Sequence, residues 1–209
     1  AGLFAVLTPA WQAPDEPAHY NYIAQVARDG CCPKIEPADW DSAYLEQLKS
    51  SHFAPETLGN LLNVQYEDHQ PPLYYLLQAP VFSLTGGSLV ALRLFSVLMG
   101  AGIVLCTFAT SIVLMPDRPQ VALGAAALLA FLPQHVAVVA SVNNDSLSNL
   151  IIAMTLLACV LYMKGQDVRP WQFGLLVGLG MLTKVSTLIL VPLVCLTLLL
   201  RWWQLPPQV

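Results

Sequence analysis

The chain reads as an all-α integral membrane protein, a multispanning helical bundle with an extracytoplasmic first loop that carries amphipathic and juxtamembrane helices. Three observations predict this. Hydrophobic residues make up 56% and charged residues only 11% of the 209 positions, at a mean hydropathy of +0.60. Soluble domains carry about 25% charged residues to cover their surface. Residues 9–70 hold ten of the thirteen acids, whereas residues 89–200 are almost uninterruptedly apolar. Charges and prolines punctuate that apolar half at intervals long enough for helices that cross a bilayer.

Ala1 to Thr8 is apolar but shorter than the roughly 20 residues that span the hydrocarbon. It is taken as the end of a first transmembrane helix; a cleaved signal peptide is the alternative, and it leaves the next segment on the same side. Residues 9–70 form the extracytoplasmic loop domain. Residues 71–88, with Pro80 in the middle and Gly86 and Gly87 at the end, predict an interfacial or re-entrant helix. The transmembrane bundle covers 89–203 in five spans: Leu89 to Met115, Val121 to Val142, Ser146 to Met163, and a hairpin from Trp171 to Trp203 broken at Thr183 and Lys184. Residues 204–209 are a truncated tail. If Leu89 starts outside, Arg118, Lys164, Arg169 and Arg201 gather on the cytoplasmic side, as short basic loops do.

That topology collects the remaining polar residues at the extracytoplasmic mouth: Asp15, Glu16, His19, Glu67, Asp68, His69, Arg93, Asn143, Asn144, Asp145 and Lys184. Ionisable groups at membrane depth are costly unless paired, and mark a substrate or a pathway; mutual pairing as structural glue is the alternative. Pro14 to Asp29 predicts a helix closed by Gly30, which sets Asp15 and His19 one turn apart on one face. A carboxylate there can serve as a general base, or simply cap the helix. Pro71 and Pro72 open the next helix without losing a needed amide. They direct Glu67, Asp68 and His69 at the membrane surface, where His69 meets a lipid phosphate, joins Glu67 in a cation site, or stays solvated. Asp145 is an N-cap or a member of the site. Lys184, in a tight turn at membrane depth, needs an anion, and phosphate is the obvious one.

Cys106, Cys159 and Cys195 lie in spans as small apolar residues, while Cys31 and Cys32 are too close for an ordinary disulfide. No zinc spacing, phosphate loop or dinucleotide fingerprint is present. A net charge of −4 with an acidic outer loop gives no basis for nucleic-acid binding. No cofactor is assigned, and a divalent cation is left open.

Several motifs in order resemble the GT-C class of membrane glycosyltransferases. They are Pro14-Asp15-Glu16, His69-x-Pro71-Pro72-Leu73-Tyr74-Tyr75, Leu92-Arg93-Leu94-Phe95-Ser96, the Asn144-Asp145 turn, and Gly178-Leu179-Gly180-Met181-Leu182-Thr183-Lys184. The likeness is nearest to the protein O-mannosyltransferase and aminoarabinose transferase branch, and nearer still to multispanning bacterial proteins with the same Asp-Glu-Pro-x-His opening. The resemblance implies a GT-C-like bundle in a bacterial cytoplasmic membrane that moves a sugar from a polyprenyl-phosphate carrier to an outer acceptor, usually with inversion. It maps the base onto Asp15, with Glu16 beside it, and the carrier phosphate onto His69, Lys184 and Arg93. His19, Glu67, Asp68, Asn144 and Asp145 are the supporting residues. Expected partners are membrane lipids, the polyprenyl-phosphate sugar and proteins of a membrane complex. The rival reading is a noncatalytic scaffold, or a subunit of a larger complex, that keeps the bundle.

Overall fold

The computed structural model describes residues 1–37, 39 and 41–204. The tail expected over 204–209 therefore lies, from 205 on, outside the described residues. Ten α-helices and two 3-10 segments follow one another, with no strand among the described residues. Before the bundle come α1 (Gly2–Leu7), α2 (Glu16–Asp29), α3 (Ser42–Ser50) and a 3-10 segment (Pro55–Asn63), and α4 (Leu73–Thr85) leads to the bundle. The bundle itself is α5 (Leu89–Leu114), α6 (Pro119–Phe131), α7 (Pro133–Val139), α8 (Asp145–Met163), α9 (Pro170–Met181), a 3-10 turn (Val185–Ile189) and α10 (Leu190–Gln204).

Two of the sequence boundaries have visible physical causes. Gly30 ends α2 and Gly86 ends α4 in left-handed backbone, at φ +86° and +64°, which a side chain resists. Between α2 and α4, Asp41 caps α3 by accepting from the Ala43 and Tyr44 amides at 3.0 Å. Ala18, Leu48 and Val64 close a small core there, with Tyr44, Leu45 and Phe53 around it.

The main core joins α2 and α4 to the bundle. Tyr22 and Ile23 of α2 pack on Tyr74 and Tyr75 of α4, and these on Leu92 and Met99 of α5 and Leu147 and Ile151 of α8. Tyr22 and Tyr75 stack with ring centroids 3.7 Å apart. On the bundle exterior Leu98, Leu105, Leu123, Leu128, Phe131, Trp202 and Trp203 stand exposed. A contiguous apolar belt of that kind is what lipid covers.

Three helices are long and apolar enough to cross a membrane, Leu89–Leu114, Asp145–Met163 and Val185–Gln204, and a fourth span arises if α6 and α7 count as one. The sequence count was five. Pro133 removes an amide where Val121 to Val142 was expected to run straight, and α6 and α7 meet at 62°. Helix α9, at 12 residues, reaches about 18 Å against about 30 Å of hydrocarbon.

The ends of the bundle are chemically distinct. At one, the Leu73 amide donates to the Leu182 carbonyl at 2.9 Å, so the start of α4 is docked on the Thr183 to Lys184 turn. At the other, Gly165 lies against the Arg201 guanidinium, which brings Lys164 and Arg201 to the same end.

Candidate functional site

A cavity of about 350 Å³ opens at the polar end, lined by Asp15, His19, Glu67, Gln70, Gln134, Ser141, Asn143, Asn144, Asp145 and Lys184 among others. It forms where the N-terminus of α2, the segment before α4, the α7–α8 junction and the turn after α9 converge. Of the residues expected from sequence, it brings together Asp15, His19, Glu67, Asn144, Asp145 and Lys184. Glu16, Arg93, Asp68 and His69 are not among its lining residues.

Asp15 is the N-cap residue of α2, yet its side chain makes no capping bond. Its backbone is left-handed, at φ +58°, a conformation that Asp tolerates better than most residues. Its Oδ1 instead accepts the Tyr66 hydroxyl at 2.6 Å. The capping role considered for Asp15 is thus not the one its side chain performs. Burial and this bond both push the Tyr66 phenol well above its usual value.

Glu16, paired with Asp15 in the sequence reading, faces the other way and is wholly buried. Both carboxylate oxygens meet Arg93, Oε1 with Nε at 2.8 Å and Oε2 with Nη2 at 2.5 Å. The Val142 amide adds a third bond at 3.1 Å. Arg93 spends its remaining donors on the Ala5, Thr8 and Pro9 carbonyls, the otherwise orphaned end of α1. Glu16, expected beside the base, and Arg93, expected at the carrier phosphate, form the two halves of a buried pair that ties α1, α2, α5 and the α7–α8 junction together.

His69, expected at the carrier phosphate, lies outside the cavity lining. It is exposed, and both ring nitrogens are engaged, Nδ1 with the Tyr66 carbonyl at 2.9 Å and Nε2 with the Gln70 amide at 3.2 Å. The next residue, Gln70, faces the cavity in its place, and its Oε1 accepts from Asn144 at 3.1 Å. Asp68 is clamped outside by Gln25 at 2.9 and 3.2 Å, and burial raises its carboxyl to about 6.

Within the cavity, burial raises the Glu67 carboxyl, opposed by a hydrogen bond from Gln70. Glu67 Oε2 and Asn144 Oδ1 are buried without a hydrogen-bond partner among the described residues. Lys184 finds its anion within the chain, because its ammonium lies 2.6 Å from Asp145 Oδ1. His19, one turn from Asp15, bonds elsewhere: its Nδ1 lies 2.8 Å from the Tyr75 hydroxyl. Burial drives the His19 imidazole down to about 4, against the opposing pull of Asp15. Among the described residues no group of three or more His, Cys, Asp or Glu is placed to hold a metal ion.

Tyr66, Tyr75 and Gln70 are the site residues that sequence reasoning missed as such. The Tyr74-Tyr75 pair was visible in the sequence but readable as an interfacial belt, and Tyr66 and Gln70 carried no signal of their own.

No curated protein and no solved structure matches the chain. A family model, dolichyl-phosphate-mannose-protein mannosyltransferase, matches residues 69–206. That stretch runs from the segment before α4 through the bundle and includes the turn that carries Lys184. The apolar helices, the polar cavity at one end and this match agree: the chain belongs to the dolichyl-phosphate-mannose-protein mannosyltransferase family of GT-C-type membrane glycosyltransferases.

Proposed function

We propose that this protein moves a sugar from a polyprenyl-phosphate carrier to an acceptor at the outer face of a bacterial cytoplasmic membrane, with residues 9–70 extracytoplasmic. Asp15 carries the reading. It is a carboxylate at a helix N-terminus that lines the cavity, spends one oxygen on Tyr66 and makes no capping bond. The second oxygen is the one that takes the acceptor proton as the acceptor oxygen bonds to the anomeric carbon. On the opposite side the bond to the carrier oxygen breaks, and the phosphate leaves with the electron pair, inverting the centre. Lys184, half-buried and held by Asp145, is the ammonium in reach of that developing charge.

Orientation follows from the basic residues at the other end, Lys164 and Arg201, which belong to the cytoplasmic side. The neutralised Lys184 favours a second reading, a scaffold that keeps the fold without catalysis. Polyprenyl-phosphate binding and sugar transfer by the full chain, compared with Asp15→Asn and Lys184→Ala, separate the two. Transfer lost with binding kept in Asp15→Asn, and binding lost in Lys184→Ala, support the enzyme. Absence of lipid-phosphate binding in the wild type supports the scaffold.

A further inference from the structure

His19 is the buried cavity residue that the mechanism above leaves unused. It is 5% exposed, lines the cavity and sits one helical turn from Asp15. Nδ1 lies 2.8 Å from the Tyr75 hydroxyl, and Nε2 has no hydrogen-bond partner among the described residues. Tyr75 is wholly buried, stacked on Tyr22, and its hydroxyl has His19 as its recorded partner.

The tautomer follows from counting protons. With the proton on Nδ1, His19 would donate to the tyrosine oxygen, and the buried Tyr75 O–H would have no acceptor. With Tyr75 as the donor, its proton meets the Nδ1 lone pair and the imidazole proton resides on Nε2. Burial keeps the ring neutral at ordinary pH. A neutral ring also leaves the Asp15 carboxylate free to accept a proton instead of pairing with an imidazolium.

Other buried donors at the cavity are already committed. Asn144 Nδ2 donates to Gln70 and the Thr183 carbonyl, and Asn143 Nδ2 to Val138 and Ser141. Lys184 gives one of its three ammonium protons to Asp145 and keeps the role assigned to it above, and both nitrogens of His69 are engaged outside the cavity. We infer that His19, fixed by Tyr75 as its Nε2–H tautomer, is the imidazole that hydrogen-bonds a phosphate oxygen of the lipid-linked donor, in the place that sequence order gave to His69. The phosphate contact rests on the function proposed above; the tautomer does not. Tyr75 is then a positioning residue and His19 a binding residue.

The test is ¹⁵N spectroscopy of the histidine rings in the full chain, reconstituted in lipid nanodiscs and titrated with a polyprenyl phosphate. Free wild-type protein is expected to show His19 protonated on Nε2 alone, and Tyr75→Phe a mixture of tautomers. Ligand is expected to move the His19 Nε2 signal and leave that of His69 in place. His19→Phe should weaken binding about tenfold. His19→Gln, whose amide reaches the same position, should stay within about threefold of wild type. A Nδ1-protonated His19 overturns the tautomer. Unchanged binding by a folded His19→Phe overturns the phosphate contact and leaves the proposed transferase intact. A wild type that binds no polyprenyl phosphate overturns that contact together with the proposed function, and the free-protein spectrum still decides the tautomer.

Discussion

Glu16 and Arg93, separated by 77 positions in the chain, form a bidentate ion pair with both side chains at most 2% exposed. One guanidinium satisfies a buried carboxylate and the open end of α1 together. Removing one partner strands the other charge out of water, which typically costs about 3–5 kcal/mol. Arg93→Ala is therefore expected to lower the unfolding midpoint in detergent strongly, whereas Asp15→Asn, at the neighbouring position, leaves it nearly unchanged. Equal stability of the two variants would contradict a structural role for this pair.

Asp15 and Tyr66 should separate by magnitude. Asp15→Asn keeps an acceptor for the Tyr66 hydroxyl but cannot take a proton, so transfer is expected to fall by about 10²–10⁴. Tyr66→Phe removes the 2.6 Å bond that orients the carboxylate, and a loss of about tenfold is expected. Single-turnover transfer from a polyprenyl-phosphate sugar measures both. An active Asp15→Asn enzyme would remove Asp15 as the base.

Asp145 and Lys184 are partly exposed, so their pair adds only about 0–1 kcal/mol to stability. Its effect on ligand binding is expected to be larger and opposite in sign for the two partners. Asp145→Asn releases the ammonium and tightens polyprenyl-phosphate binding, while Lys184→Met weakens it. Titration of the two variants at one ionic strength reads this directly, and weakening in both would show that the intact pair is the binding unit.

Acid should find His19. Its folded value is about 4 against 6.5 when unfolded, because burial disfavours the charged ring. The unfolded chain therefore binds the extra proton, and stability is full above about pH 6.5 and falls as pH drops towards 4. Asp68, raised to about 6 by burial, acts in the opposite sense, since its contribution is present at low pH and lost as pH rises through 6. His19→Gln removes the first term alone. It should gain on wild type by up to about 3 kcal/mol between pH 6.5 and 4, and parallel unfolding curves would rule out a buried neutral histidine.

Gly100 lets α5 approach α7. A Cβ there would stand 2.8 Å from Val139 Cβ, and a β-branched side chain has no rotamer that withdraws it. Gly100→Ala should destabilise the bundle by about 1–3 kcal/mol, and Val139→Ala in the same background should restore most of it. Thermal unfolding of the two variants is the check.

The class of protein was decided by local chemistry. A run such as Leu89 to Leu114 has no way to be stable in water, and its hydropathy alone makes it a spanning helix. Gly30, Gly86 and the Pro71-Pro72 start fix their boundaries through backbone geometry, which sequence carries explicitly. The order of short motifs likewise pointed to the GT-C family that the match over 69–206 bears out. What a side chain meets across the fold is not local. Nothing in Pro14-Asp15-Glu16 distinguishes the acid that faces the cavity from the one that faces Arg93. The left-handed turn at Asp15 makes that choice by aiming adjacent carboxylates at different neighbours. His69 and Gln70 divide in the same way, and Lys184 acquires its anion from α8 only when the turn after α9 docks there. Partner choice depends on distances between residues tens of positions apart, and those distances exist only once the helices have packed.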